Sequence, residues 1–566
     1  MNTPSGPFRP GSWRNTWVPS ASRLRALRDR WTRVLVLAAV IGVLVGLAIA
    51  GFEWITARVI LDHVSELPDA AQVVLPAVGL TLAWLALRWL GSGASPSTSE
   101  EYTRAYHDME RGLDLRTVPA RVLAAIATLG TGGAMGYEGP SIYIGAALGT
   151  GVQRRFAALV SRDDRRTLLV AGAAAGIAAI FKTPATGALF ALEVPYQEDT
   201  ASHALLPALI AAATSYLTYV AFFGTTPLLS GPGNPSFDAR DLLGSLALGL
   251  VCGVGARLFV RLILAAKHGS VRLHPSRRIL FGGAGLAAVG VISFALFDRQ
   301  VALGPGYRAI AWSLTPERSL WLIAALFVLD AAATAFTVLG GGAGGLFIPL
   351  VTQGWLLGRF VGGALTTSSA LFPVVGAAAF LGAGYRTPIA AVMFVAESTG
   401  GPGFIVPALL ATAIAQLVMG TSSISEYQRV RRVGPIERRL LAPVGSALVT
   451  DPATCDVHTA VDGVLAARVT QLPVDTVPVL DGDRYAGMLH LVDLVALEDV
   501  RASGLTVGQV MRTDGPAADE MWTLREALAA MEATNADQLA VLRDGKLVGT
   551  VMGSAVLRLF ESEADN

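Results

Sequence analysis

The chain has 566 residues, of which 52% are apolar and 15% charged, with a mean hydropathy of +0.52; an ordinary soluble domain carries roughly 25% charged residues. That composition excludes a soluble enzyme as the first reading and points to a chain embedded in lipid. The net charge of +1 conceals two objects, because residues 441–566 hold 8 basic and 19 acidic side chains, a net −11, and the remainder is +12.

In chain order, the first element is a basic arm, residues 1–32, with Arg9, Arg14, Arg23, Arg25, Arg28 and Arg30 ahead of the first apolar run and Arg33 at its edge. Positive residues flanking a first span predict a cytoplasmic N-terminus. The arm is too long for a signal peptide and no small-residue cleavage site closes the run. A spanning helix needs about 20 apolar residues, and the stretches 34–52, 70–87 and 279–297 come near that length. The uncharged intervals 200–237, 331–358, 360–385 and 398–425 are each longer than one crossing and predict two segments or a re-entrant one. Gly340 to Gly345 and Pro388 interrupt them, as expected where broken helices line a polar cavity. Cys252 and Cys455 fall in different regions, which argues against a disulfide and against a thiolate metal site. Arg outnumbers Lys 41 to 3, read here as genomic base composition.

An internal repeat is the strongest sequence signal. FKTPATGALFALE (181–193) matches YRTPIAAVMFVAE (385–397) at a constant offset of 204. Upstream, GYEGPSIYIGAALG (136–149) pairs with GLFIPLVTQGWLLG (345–358), so that Gly136, Pro140, Gly145 and Gly149 recur as Gly345, Pro349, Gly354 and Gly358. Duplicated membrane halves place a substrate between discontinuous helices near mid-membrane. In both copies a Gly-rich stretch runs into Pro and an apolar helix, the pattern of a helix start with free backbone N–H groups. Converging helix N-termini bind an anion through partial charges, weakly enough to release it. Glu138 is the one charge between residues 122 and 153, and an intramembrane carboxylate is a functional group by default. Ionised, it competes with an anion for the dipole-lined place; protonated, it moves away.

These motifs resemble the CLC family of chloride channels and proton/chloride antiporters: GYEGP (136–140) is similar to the family's G-[KR]-E-G-P, GLFIP (345–349) to its G-x-F-x-P, and 181–193 to the helix that follows. The resemblance covers residues 33–430. It implies an all-α polytopic membrane protein with the inverted-repeat CLC fold and re-entrant or broken helices, in two repeats of about 33–223 and 241–430. It further implies a homodimer in the lipid bilayer with one anion pathway per subunit, chloride and other small anions as cargo, and Glu138 as the gating glutamate that takes up protons. Gly136, Gly139 and the stretch Gly345, Leu346, Phe347 and Ile348 would line the anion site.

Four departures from the family pattern matter. Its G-S-G-I-P stretch has no clean copy in GSGASPSTSEEY (91–102), where spacing favours Ser97 at the anion with Thr98 beside it. Tyr137 stands where a basic residue is usual, which weakens anion steering. SSISEYQ (422–428) resembles the segment bearing the family's anion-binding Tyr and leaves Ser425 and Tyr427 both open. Val194 occupies the position of the internal proton glutamate, which resembles the channel branch; some exchangers also lack that acid. Glu193, mirrored by Glu397, is read as satisfying backbone groups at a helix end.

After a linker at 431–442 the pattern changes to short β-like runs with turns at DGDR (481–484) and RDGK (543–546). Two copies, 443–502 and 503–566, resemble a tandem pair of CBS domains, an α+β cytoplasmic module. Such modules often bind adenine nucleotides (ATP, ADP or AMP), for which the first copy offers His490 and Asp493; the second has Met552 and Ala555 instead. A purely structural pair is the competing reading, and no other cofactor, metal or nucleic acid is expected. The sequence therefore reads as a glutamate-gated chloride permease of channel type in a bacterial plasma membrane, with both termini cytoplasmic, the alternative being a proton-coupled chloride antiporter. A hydrolase lacks support, since HExxH and G-x-S-x-G are both absent and His numbers 7.

Overall fold

Long apolar runs without water to serve their backbone must close their hydrogen bonds internally, and helices are the result. A computed structural model of the chain describes residues 21–229, 237–315, 318–365, 370–432, 435–466, 475–497, 504–515, 517–534 and 536–556. Arg9 and Arg14 of the basic arm lie outside the described residues. The chain forms two units that divide between Arg432 and Val433.

The first unit is helical. Its first half comprises α1 (Ala21–Glu53), a π-helical stretch Trp54–Leu61, α2 (Asp62–Glu66), α3 (Asp69–Trp89), α4 (Ser99–His107), α5 (Val118–Gly130), α6 (Glu138–Arg155), α7 (Arg162–Phe181), α8 (Pro184–Glu193) and α9 (Leu205–Phe223). The second half has α10 (Ala239–Arg272), α11 (Pro275–Phe297), α12 (Tyr307–Ser313), α13 (Leu320–Leu339), α14 (Phe347–Ala364), α15 (Leu371–Tyr385), α16 (Pro388–Thr399) and α17 (Ile405–Met419). Among the described residues seven helical stretches are long and apolar enough to cross a membrane, and many of their outward side chains are large and apolar, as lipid contact requires.

The halves repeat each other's packing: α6 against α7 corresponds to α14 against α15, α1 against α9 to α10 against α17, and α3 against α5 to α11 against α13. The recurring glycines explain the closeness of these crossings. A Cβ on Gly145 would lie 2.1 Å from the Gly172 carbonyl oxygen, and one on Gly354 2.2 Å from that of Gly376, so only glycine lets the backbones approach. The basic residue of each FKTP-type segment is a left-handed helix end, Lys182 at φ 57° and Arg386 at φ 58°, followed by Pro at the start of α8 or α16.

Two of the long uncharged intervals differ from expectation. Among the described residues, 200–237 and 398–425 each contain one spanning helix preceded by a single 3₁₀ turn, rather than two segments. The intervals 331–358 and 360–385 do hold parts of two helices each.

The second unit has a three-stranded sheet, in order β2 (Cys455–Asp456), β3 (Thr476–Asp481), β4 (Arg484–His490), and a four-stranded sheet that contains β5 (Ala518–Asp519), β6 (Gln538–Arg543), β7 (Lys546–Met552) and β1 (Leu448–Val449). Helices α18 (Pro435–Leu440), α19 (Val461–Ala466), α20 (Leu491–Leu497), α21 (Val507–Val510) and α22 (Leu524–Thr534) accompany them. Hairpins β3–β4 and β6–β7 turn at the two DG sequences and share a register shift at the same position. β1, from the first copy, pairs with β7 of the second, so the sheets do not respect the division at residue 503.

Candidate functional site

The site forms where α6 and α14 begin. The loops that precede them, 131–137 and 340–346, bond in part to their own preceding helices and in part to each other. Gly136 N–H donates to the Gly345 carbonyl at 2.9 Å, and Gly345 N–H to the Gly136 carbonyl at 2.7 Å, an isolated antiparallel bridge. Two threonines complete the exchange: Thr128 Oγ1 accepts from Ala343 N–H and Thr337 Oγ1 from Ala134 N–H, each at 3.1 Å. Residues 128, 134 and 136 and residues 337, 343 and 345 thus occupy matching places in the two halves, although neither threonine stands out in the sequence.

Glu138, on the first turn of α6, is fully buried. Its Oε1 accepts the N–H of Phe347, the first residue of α14, at 2.5 Å, and the Ile348 amide also acts on the carboxylate. Oε2 has no partner. The carboxylate therefore sits where two helix N-termini meet, in the place their free amides and dipoles make attractive to an anion. Glycine is required beside it, since a Cβ on Gly136 would come within 1.9 Å of Oε2 and one on Gly345 within 2.0 Å of Oε1. The Gly345 amide itself is spent on the bridge to Gly136, so the amides facing the carboxylate are Glu138's own and those of Phe347 and Ile348. The Phe347 ring lies behind its amide in an aromatic cluster with Phe181, Phe190 and Phe394 at centroid distances of 4.7, 5.2 and 4.9 Å.

On one side of this point lies a cavity of about 280 Å³ whose lining includes Thr98, Ser99, Leu346, Tyr385 and Ser425. Thr98 is buried and donates to the Gly344 carbonyl at 3.2 Å; a Cβ on Gly139 would strike its hydroxyl at 2.5 Å. Ser97, the residue that spacing favours, lines the same cavity and its Oγ donates to Glu100 Oε2 at 3.2 Å. Ser425 is buried and its hydroxyl is unpartnered. Tyr427 is 46% exposed and lies outside the cavity lining, because the chain after Met419 runs on in turns and bends that swing it outward. Sequence reasoning missed Tyr385, which is buried, lines the same cavity and stands with its ring centroid 6.5 Å from that of Phe347. Its signal was visible as the aromatic that opens the second copy of the repeat.

Val194 is buried; its carbonyl accepts from Gln428 Nε2 at 2.9 Å, and Gln428 also bonds the Tyr385 carbonyl at 2.8 Å. Glu193 gives its oxygens to the amides of Ala390 (2.8 Å) and Ile389 (3.3 Å) at the start of α16. Glu397 returns the arrangement, accepting from Ala185 N–H (3.0 Å), Thr186 N–H (2.7 Å) and the Thr186 hydroxyl (2.6 Å) at the start of α8. These reciprocal caps account for both acids of the repeat.

Residues 78–420 match the family described as voltage gated chloride channel. The chain belongs to the CLC family. Residues 507–562 match the CBS domain. The H(+)/Cl(-) exchange transporter ClcA of Cronobacter sakazakii is 29% identical over 417 residues, 68% of this chain and 87% of the relative. A solved CLC-type fluoride/proton antiporter is 25% identical with a TM-score of 0.61, covering 73% of this chain and 100% of that one. A slow cyanobacterial Cl−/H+ antiporter has the same TM-score at 21% identity over 68% and 94% of the two chains, a likeness of fold.

In the second unit His490 ends β4 and Asp493 lies in the first turn of α20. Both oxygens of Asp493 receive the Arg512 guanidinium, at 2.9 and 3.0 Å. Partial burial and the nearby Arg512 hold His490 below its usual pKa.

Proposed function

We propose that this CLC protein is a proton-coupled anion exchanger, with chloride as the principal anion. The observation that carries this reading is the Glu138 carboxylate seated on the Phe347 amide between two helix N-termini. A carboxylate that fills an anion's place and has a second oxygen without a partner can be exchanged for an anion once a proton neutralises it. Anion binding and proton uptake then compete at one point. Exchange is preferred to the channel reading suggested by Val194 because relatives and structural neighbours named for their activity are exchangers.

The same proposal takes Thr98, Ser99, Tyr385 and Ser425 as hydroxyl groups that receive the anion beside the amides of Phe347 and Ile348. It takes the working unit as a homodimer in a bacterial plasma membrane with cytoplasmic termini. An adenine nucleotide at His490 and Asp493 belongs to it as well; that ligand must displace Arg512 from Asp493, and titration of the full-length protein with ATP and AMP tests it.

The deciding experiment uses purified protein in liposomes. An outward chloride gradient should drive protons inward against their own gradient. Chloride movement with no proton movement returns the channel reading. Parallel fluxes of chloride, fluoride, bromide and nitrate establish selectivity.

A further inference from the structure

The helix that begins at Glu138 also forms one wall of a large groove, between α1, α5 and α6, with a volume of about 840 Å³. Leu44, Ile55 and Phe156 on its rim are exposed, on helices whose outer faces meet lipid. A Cβ on Gly51 of α1 or on Gly151 of α6 would meet nothing within 4 Å, so the space is open at both walls. The lining is apolar except at one end, where Arg155 stands. Among the described residues Arg155 makes no ion pair, and its guanidinium lies 5.9 Å from the centroid of the Phe156 ring.

Two contacts orient the groove. Arg154 Nη2 donates to the Leu113 carbonyl at 3.0 Å, tying the end of α6 to the chain just before α5. Arg30, near the start of α1, donates to Asp164 Oδ1 at 2.8 Å, which puts the loop after α6 on the side of the basic arm. The Arg155 end therefore lies at the membrane surface on that side, and the Ile144 end lies deeper, toward the start of α6. From Ile144 to Arg155 the helix rises about 16 Å at ~1.5 Å per residue, close to half of the roughly 30 Å hydrocarbon core of a bilayer. The groove has the depth of one leaflet, with a cation where the headgroups begin.

The duplication repeats the gap but not its cation. At the offset of 209 that separates Gly136 from Gly345, Val122, Ile126 and Ile144 correspond to Ala331, Ala335 and Gln353. These three line a second groove, of about 510 Å³, against α10. There Phe360 stands at the place of Gly151 and Ala364 at that of Arg155, so the second groove is shorter and has no charge at its end.

We propose that the first groove is a binding site for one anionic phospholipid of the leaflet on the side of the basic arm, an acyl chain lying along α6 and the phosphate paired with Arg155. The guanidinium takes a phosphate through paired N–H bonds, and the apolar walls take the chain. A zwitterionic lipid fits less well, because its ammonium offsets the charge that Arg155 attracts. A chain in the groove packs against α6 and Phe52, whose ring meets that of Tyr137 edge-on at 6.3 Å, one residue before Glu138. The lipid thus supports the helix start that seats the carboxylate.

The test is native mass spectrometry of full-length protein titrated in detergent with phosphatidylglycerol, or with phosphatidylcholine of the same acyl chains. The wild type should retain one phosphatidylglycerol per subunit, preferred about fivefold, the worth of one arginine at a membrane surface. Arg155→Gln should abolish the preference while both lipids still bind weakly. Gly151→Leu, whose side chain enters open space, should fill the groove and lower phosphatidylglycerol retention roughly tenfold; if it does not fold, Arg155→Gln decides. No preference in the wild type, or a preference that survives either substitution, overturns the proposal.

Discussion

The two halves of the membrane unit share their helices, their glycine crossings, their threonine locks and their carboxylate caps, yet they differ at the first residue of the helix that enters the site. One half has Glu138 there and the other Phe347. Had both been acidic, two carboxylates would have met on a shared set of amides and repelled; had both been apolar, the amides would have had no proton-sensitive occupant. Duplication supplies the symmetric cradle, and one asymmetric residue makes it a switch.

Removing that asymmetry should have the largest effect. Glu138→Gln abolishes proton coupling, and the pH dependence of chloride flux goes with it; in the wild type flux should rise as pH falls, because protonation releases the carboxylate. Flux and pH profile unchanged in liposomes would remove Glu138 from the mechanism. Gly345→Ala keeps the acid but fills its seat, since the new Cβ would stand 2.0 Å from Oε1. The carboxylate should be displaced, giving flux of reduced pH sensitivity and a loss of about 1–3 kcal/mol in stability, measured by thermal unfolding in detergent.

The shared features should respond alike in both halves. Glu397→Gln and Glu193→Gln each weaken charge-assisted bonds at a helix start, typically ~1.5–3 kcal/mol per bond removed, so both should lower Tm while leaving the proton-to-chloride ratio as in the wild type. A changed ratio in Glu193→Gln would give that acid a transport role. The smallest effect distinguishes neighbours: Thr98→Ala should weaken chloride binding a few-fold by calorimetry, and Ser97→Ala should not, because only the Thr98 hydroxyl lies against Gly139 and Gly344.

Much of this architecture was legible in residue order. The offset of 204 announced the duplication, and Glu138 was conspicuous because a charge in lipid needs a reason. Glu193 and Glu397 were readable as helix-end acids, although not that each caps the other half's helix. Other parts were not legible. α10 was overlooked as a span because Arg257, Arg261 and Lys267 break its apolar pattern. Ser97 and Thr98 were both legible by counting residues to Glu138, but counting cannot say what each hydroxyl bonds: Ser97 meets Glu100 and Thr98 the Gly344 carbonyl. Tyr385 was passed over because it shares a cavity wall with Ser99 only once segments almost 290 residues apart are folded together.

The sequence by itself determined that this is a duplicated helical membrane protein of the CLC family, with glycine-rich helix starts, one acid among them and a separate acidic CBS region. Those features reside in composition, periodicity and short motifs, which local backbone chemistry reads directly. Tertiary structure alone decided which amides hold Glu138, which hydroxyls share its cavity and which acids are spent on caps. Most of these are contacts between segments about 200 residues or more apart, and hydrogen bonds of that range are set by how helices cross, not by what lies next in the chain.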